Sequence, residues 1–268
     1  MRDAMKRIAR GDERRTIRRA AALVLRLDRS ARPMDRLHLS QHISRQFNSE
    51  IEDVRRQVLA MGGLVEEQIA AALHVLVGRD AAAATAIRER ERLINAAELA
   101  IDEQCAFILA RRQPAASDLR LVLAVMKMLA DLERIGDEAK RIARMAEHLV
   151  GEEGGADVTA SLAELGSLAR GMLRGALDAF ARLDEQLALE VMRRDRHLDE
   201  TYRGLFKVLV ARMQELPEQI PTELDRLWCA RSLERIGDRC KNLCEFVLYL
   251  VRGKDVRHSG LAKSDSAS

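Results

Sequence analysis

The 268-residue chain is 47% hydrophobic and 32% charged, but only 3% of its residues are aromatic and only four are prolines. This composition favours long helices over sheets, and a net charge of +3 gives no indication of nucleic-acid binding. We therefore expect an all-α protein, and since the chain has no run of 18 consecutive apolar residues, the signature of a transmembrane helix, we expect no segment to span a membrane.

A basic extension opens the chain. Residues 1–33 carry 11 Arg or Lys and four Asp or Glu, and they end at Pro33. We interpret this extension as disordered, or as a mis-assigned gene start with Met34 as the true initiator. A basic amphipathic helix on anionic lipid is the alternative, although its apolar stretch at residues 20–25 is short.

The first helix is predicted from about Ser40 to Gly78, because apolar residues recur there every three or four positions. Ser40 and Ser44 are candidate N-caps. Gly62 and Gly63 interrupt the pattern. Since each glycine weakens a helix by roughly 1 kcal/mol, we expect a bend at this point.

Five further helices follow from the same periodicity, with prolines and a Gly/Glu-rich linker at residues 151–157 between them. In chain order they span about Asp80–Arg112, Ser117 or Asp118 (as the cap) to Val150, Thr159–Leu183, Glu185–Glu215 and Pro221–Val251. The linker marks a domain boundary. We therefore propose one domain at residues 34–151, a second at 157–252, and a disordered tail at 253–268.

The two halves are related in sequence. Residues 132–137, Leu-Glu-Arg-Ile-Gly-Asp, recur unchanged as residues 233–238, an offset of 101 positions. Earlier elements match at an offset of 104 positions, such as Asp80 with Asp184. A six-residue identity in register indicates an internal duplication. We therefore predict an all-α fold of two tandem, homologous three-helix bundles, with six long helices in an elongated molecule.

The repeated hexamer places two carboxylates on one face of each helix. Glu133 and Asp137 are four residues apart, as are Glu234 and Asp238. Like charges at this spacing destabilise an isolated helix, so a cation or neighbouring arginines should compensate. Solvated surface pairs, such as Asp238 with Lys241, are the simpler alternative.

The preceding helices carry similar pairs. Asp195 and Asp199 are four apart, and Glu91 and Asn95 occupy the corresponding positions of the first half. Glu98 and Asp102 add another pair. Hard oxygen ligands clustered on adjacent helices suit Mg²⁺, Mn²⁺ or iron, so we treat these positions as candidate metal ligands. Those candidates are Glu133, Asp137, Glu234, Asp238, Asp195, Asp199, Glu91 and Asn95.

Within the hexamer, the glycine and arginine have separate expected roles. Gly136 and Gly237 lie in helix interiors, where glycine is costly, so we expect close helix packing or room for a ligand. Arg134 and Arg235 point away from the carboxylates, and we expect them to pair with a neighbouring helix.

Other catalytic chemistry finds little support in the sequence. No Glu-x-x-His pair, Gly-rich phosphate loop or nucleophile elbow occurs. The four cysteines form no Cys-x-x-Cys motif, so we expect reduced, mostly buried thiols in a cytoplasmic protein. We predict that the chain is not an enzyme. A carboxylate-rich helical protein for metal buffering or metal-dependent hydrolysis is the alternative.

The duplicated Leu-Glu-Arg-Ile-Gly-Asp, late in each three-helix unit, resembles the signature of the PhoU family. Further motifs fit in order, among them residues 42–48, Met61-Gly62-Gly63, residues 112–121 and residues 229–232. The likeness runs from about Met34 to about His258. Residues 1–33 have no counterpart in the family pattern.

This resemblance implies a cytoplasmic negative regulator of the phosphate regulon and a modulator of phosphate uptake. It implies two partners, the ATPase subunit of the phosphate ABC transporter and the sensor histidine kinase of the phosphate two-component system. It also implies a homodimer that meets the membrane only through these partners, and metal ions (iron, Mn, Mg or Zn) at the Glu-x-x-x-Asp motifs.

Overall fold

The computed structural model describes residues 45–78, 83–112, 114, 116–152 and 155–254, and within these ranges it contains six long helices and no strand. They are α1 (Arg45–Gly78), α2 (Ala83–Arg112), α3 (Ala116–His148), α4 (Ala156–Arg182), α5 (Glu185–Glu215) and α6 (Ile220–Arg252), with a 3₁₀ turn at Pro217–Gln219. The predicted all-α fold is confirmed. The basic extension, Ser40, Ser44, Asp80 and residues 255–268 lie outside the described residues.

The cap predicted for the third helix is wrong. Because α3 begins at Ala116, Ser117 and Asp118 lie inside its first turn. An acidic side chain in this turn interacts favourably with the helix dipole. The start of α5 follows the usual capping chemistry, since the Asp184 carboxylate accepts a hydrogen bond of 3.1 Å from the Leu187 backbone N–H.

Each half is a bundle of three helices, and the two bundles share one hydrophobic core. Helices α1, α2 and α3 pack together, as do α4, α5 and α6. The halves meet where α3 packs along α6 and α1 packs along α4. Helices of this length are roughly 40–50 Å long, so both contacts extend along much of the molecule.

Reciprocal leucine–glycine contacts join α1 to α4. A Cβ atom added to Gly62 would lie 2.7 Å from Leu177 Cδ1, and one added to Gly166 would lie 2.8 Å from Leu73 Cδ1. Both glycines and both leucines are related by the 104-residue offset. Helix α1 runs uninterrupted through Gly62 and Gly63. The absence of a side chain at Gly62 therefore makes room for Leu177 of the other half.

By length and composition alone, Phe47–Gly78 of α1 could cross a membrane, and no other helix in the described ranges meets that test. The core helix of a helical bundle meets the same test. Helix α1 packs against α2, α3 and α4, with side chains such as Val58, Val65 and Ile69 fully buried. We interpret its apolar character as that of a core helix.

Candidate functional site

The predicted carboxylates gather into two clusters, one in each half. Acidic cluster 1 consists of Glu98 and Asp102 from α2 with Glu133 and Asp137 from α3. Acidic cluster 2 consists of Asp195 and Asp199 from α5 with Glu234 and Asp238 from α6. In both clusters, two antiparallel neighbours within one bundle bring together pairs that are four residues apart in sequence.

In acidic cluster 1, burial and mutual repulsion both disfavour the charged carboxylates. Partial burial raises the pKa of Glu133, and the charges of Asp137 and Glu98 raise it further. Partial burial likewise raises the pKa of Glu98, with added repulsion from Asp102 and Asp137. No ion pair joins any of these four carboxylates to a cation in the described part of the chain. Arg134 is the nearby charge that opposes the rise at Glu133.

Of the predicted positions on α2, Glu91 is paired with a cation and Asn95 carries no charge. Glu91 forms an ion pair with Lys140 of α3, and Asn95 is exposed. The first half therefore gathers its carboxylates with Glu98 and Asp102, further along α2 than the repeat offset indicates. Sequence reasoning identified this second pair but did not place it opposite Glu133.

Acidic cluster 2 contains more internal cations. Lys241 Nζ lies 2.7 Å from Asp195 Oδ2, and Arg203 lies 3.2 Å from Asp199. Arg231 pairs with Glu234. Lys241 thus crosses to α5 rather than pairing with Asp238, and it corresponds by the 101-residue offset to Lys140 of the first half.

Repulsion nevertheless remains in acidic cluster 2. Burial raises the pKa of Glu234, and so does the charge of Asp238, against the opposing effect of Arg231. Partial desolvation, Asp195 and Asp199 together raise the pKa of Asp238. The cations therefore offset only part of the negative charge.

Three buried oxygens on or beside the clusters accept no hydrogen bond: Glu91 Oε2, Asp195 Oδ1 and Glu234 Oε2. Leaving such an oxygen without a partner costs free energy, so each could gain from a cation or a donor. The donor set is entirely carboxylate, which suits Mg²⁺, Mn²⁺ or iron better than Zn²⁺. Within the described residues, no three His, Cys, Asp or Glu side chains already converge as metal ligands.

A polar seam between α3 and α6 escaped the sequence analysis. Asp131 is buried and accepts hydrogen bonds from Arg239 at 3.1 Å and Asn242 at 3.5 Å. Glu138 is also buried and accepts a bond of 2.8 Å from the Ser232 hydroxyl. By the 101-residue offset, Asp131 corresponds to Ser232 and Glu138 corresponds to Arg239. The two contacts of the seam are therefore related by the repeat, and the sequence carried that relation.

In the second copy of the hexamer, the arginine and the glycine act structurally. Arg235 lies 3.1 Å from Glu138 on α3, as expected for a residue that pairs with a neighbouring helix. A Cβ on Gly237 would lie 3.1 Å from Leu198 Cδ2, so α6 packs closely on α5 at this point. The four cysteines are free and buried. Burial raises the pKa of Cys105 to about 12, with a further contribution from Asp102.

Comparisons with known proteins agree with the duplication. The family model "PhoU domain" matches residues 58–146 and again residues 162–247. The chain is 47% identical over 227 residues to the phosphate-specific transport system accessory protein PhoU of Serratia marcescens, covering 85% of this chain and 93% of that protein. It is 46% identical over 227 residues to the Escherichia coli K12 protein of the same name, covering 85% and 94%.

Solved structures show the same fold. The crystal structure of PhoU from Pseudomonas aeruginosa superposes with a TM-score of 0.75 at 48% identity, covering 78% of this chain and 100% of that one. The phosphate transport system regulatory protein PhoU from Streptococcus pneumoniae gives a TM-score of 0.73 at 32% identity, covering 79% and 99%. With both repeats matched and these relatives covered almost completely, the chain belongs to the PhoU family.

Proposed function

We propose that this chain is a cytoplasmic negative regulator of the phosphate regulon and a modulator of phosphate uptake. It acts as an adaptor between the ATPase subunit of the phosphate ABC transporter and the sensor histidine kinase of the phosphate two-component system. The observation that carries this proposal is family membership over both repeats, with relatives named as accessory proteins of phosphate-specific transport.

The mechanism requires only differential binding. Phosphate supply changes the conformation of the transporter, and the adaptor binds one conformation more tightly than the other. Its engagement with the kinase changes as a consequence. Acidic clusters 1 and 2 are candidate docking surfaces, because exposed carboxylates with unbalanced charge favour a basic partner surface.

We also propose that the carboxylates of the acidic clusters bind metal ions. The charge supports this, because the carboxylates of both clusters repel one another and two buried oxygens of cluster 2, on Asp195 and Glu234, lack donors. A bound Mg²⁺, Mn²⁺ or iron ion would supply the missing positive charge. Cluster 1 has no internal ion pair in the described residues, so we expect it to bind a divalent cation more tightly than cluster 2.

The alternative of metal buffering or metal-dependent hydrolysis has less support, because the relatives are named as accessory or regulatory proteins. An enzyme or buffer would also not need binding to transporter or kinase. The proposed adaptor therefore predicts partner binding where the alternative predicts none.

Gene deletion tests the regulator directly. Deleting the gene should cause constitutive alkaline phosphatase expression in phosphate-rich medium, because the repressing signal to the kinase is lost. Re-expressing the full chain should restore repression. Unchanged phosphatase expression in the deletion strain would contradict the proposal.

A further inference from the structure

We propose that an aromatic surface on the second half docks an amphipathic helix of a protein partner that carries apolar anchors and basic residues. This aromatic surface consists of Tyr202 and Phe206 of α5 with Ile220, Leu224 and Trp228 of α6. The inference rests on the proposed adaptor function, and it specifies which face of the adaptor is used and what chemistry the partner brings.

The aromatic surface is exposed, in a chain with few aromatic residues. Trp228, the only tryptophan of the chain, is 51% exposed, and Phe206 is 41% exposed. Leu224 and Ile220 are 40% and 37% exposed. Clustered exposed aromatic and aliphatic side chains of this kind mark protein interaction sites, where tryptophan and tyrosine frequently dominate the binding free energy.

The helix geometry places these side chains at one level. Helices α5 and α6 are antiparallel, since Arg212 meets Glu223 and Arg231 meets Tyr202. Phe206 and Trp228 therefore lie at nearly the same height on neighbouring helices. The Tyr202 and Phe206 rings are 6.3 Å apart, and Arg231 lies 6.0 Å from the centre of the Tyr202 ring.

Only the second half carries this surface. At the positions of the first half that correspond to Tyr202, Phe206 and Trp228 stand Glu98, Asp102 and Lys127. The aliphatic positions are retained, because Leu119 and Leu123 correspond to Ile220 and Leu224 with similar exposure. The aromatic residues therefore break the pseudosymmetry of the fold, and a partner that needs them can bind in one place only.

Charge favours a basic partner. On one side the aromatic surface adjoins acidic cluster 2, where Arg203 and Arg231 are paired with Asp199 and Glu234, whereas Asp238 is exposed and forms no ion pair within the described residues. On the other side, Glu215 and Glu218 are exposed near Ile220. A helix with apolar residues in its centre and Lys or Arg near its ends would complement both the apolar and the acidic parts.

The single tryptophan provides a direct measurement. The full chain labelled with 5-fluorotryptophan should give one ¹⁹F resonance, from Trp228. Titration with unlabelled transporter ATPase subunit and, separately, with the cytoplasmic part of the kinase should shift that resonance for at least one of them. The probe reports on this surface alone because no other residue carries the label.

A matched pair of variants tests the surface against its counterpart. Leu224→Glu should weaken binding by about tenfold or more, because it buries a charge in the centre of the contact. Leu123→Glu changes an equally exposed leucine of the first half and should leave affinity unchanged. Leu224→Ala removes the contact without adding a charge. Unfolding curves for all variants then show whether a loss of affinity comes from the lost contact or from a loss of folding.

The outcomes distinguish the two proposals. If the wild-type chain binds neither partner, the proposed function fails. If it binds, but the ¹⁹F resonance stays in place and both glutamate variants behave alike, the aromatic surface is not the docking site. If Leu224→Glu instead converts a dimer to a monomer in sedimentation, or abolishes binding to anionic vesicles while partner affinity is kept, the surface serves another occupant and the inference is overturned.

Discussion

At the residue scale, the two acidic clusters differ in what surrounds equivalent carboxylates. Glu133 faces Glu98 and Asp137, whereas its counterpart Glu234 is paired with Arg231. The position of Arg231 is occupied by Ala130 in the first half. One substitution between the repeats thus decides whether the hexamer's glutamate is compensated from within the chain.

Replacing Glu133 with Gln should therefore stabilise the protein in metal-free buffer. Removing one like-charge i,i+4 interaction is worth roughly 0.3 kcal/mol. Adding Mn²⁺ should raise the melting temperature of the wild type more than that of Glu133→Gln, since a cation offsets the same repulsion. Thermal denaturation with and without Mn²⁺ measures both effects.

Glu234→Gln is the matched control for this prediction. It leaves Arg231 without its carboxylate partner, so it should not stabilise the metal-free protein. Equal gains in both variants would contradict the assigned difference between the clusters. A Mn²⁺ effect of the same size in wild type and Glu133→Gln would remove cluster 1 as a metal site.

The raised pKa values also predict a pH dependence. Glu98 and Glu133 have folded-state pKa values above the ordinary 4.5, so the folded chain holds protons that the unfolded chain has already released. Their contribution to stability is complete below pH 4.5 and is lost as the pH rises through the folded-state pKa values. The wild-type melting temperature minus that of the Glu98→Gln, Glu133→Gln double variant should fall across this window. A constant difference would contradict the prediction.

At the element scale, α1 shows how a glycine can be necessary inside a long helix. Gly62 lies under Leu177 of α4, while no atom lies within 4 Å of a Cβ added to its neighbour Gly63. Two adjacent glycines with equal helix propensity therefore have different reasons to be there. Packing explains Gly62, whereas nothing in the structure explains Gly63.

Gly62→Leu and Gly63→Leu should have opposite effects on stability. The first forces Leu177 out of place, and overpacking of this kind costs about 1–3 kcal/mol. The second replaces an open glycine with a better helix former and should gain roughly 0.5–1 kcal/mol. Urea unfolding of both variants measures the difference, and equal stabilities would show that the α1–α4 contact is loose.

At the scale of the whole molecule, the two halves are not independent. One hydrophobic core runs through both bundles, and α3–α6 and α1–α4 contacts join them. Asp131 and Glu138 on α3 are buried against Arg239 and Ser232 of α6. Separating the halves would expose both the apolar core and these polar groups to water.

We therefore expect a single cooperative unfolding transition. Amides in α2 and α5, which lie in different halves, should exchange hydrogen by the same global opening, since neither half can open alone. Hydrogen exchange with increasing urea, read helix by helix, measures this. A stable, monomeric fragment of residues 155–254 would contradict the expectation.

The sequence by itself determined the six helices, the duplication and the residue types of both acidic clusters. These properties depend on local periodicity and on internal identity, which can be read along the chain. The predicted bounds of α5 agree with the structure, and most other described ends differ by one to three residues. The family resemblance followed from the same motifs.

Only the tertiary structure decided which carboxylates face one another and which are compensated. Glu98 lies opposite Glu133, and Lys241 reaches Asp195, because packing angles and side-chain reach between helices set these pairs. The sequence did not predict the aromatic surface for the same reason. Phe206 and Trp228 are 22 positions apart in the chain, and only the antiparallel packing of α5 on α6 brings them to one level.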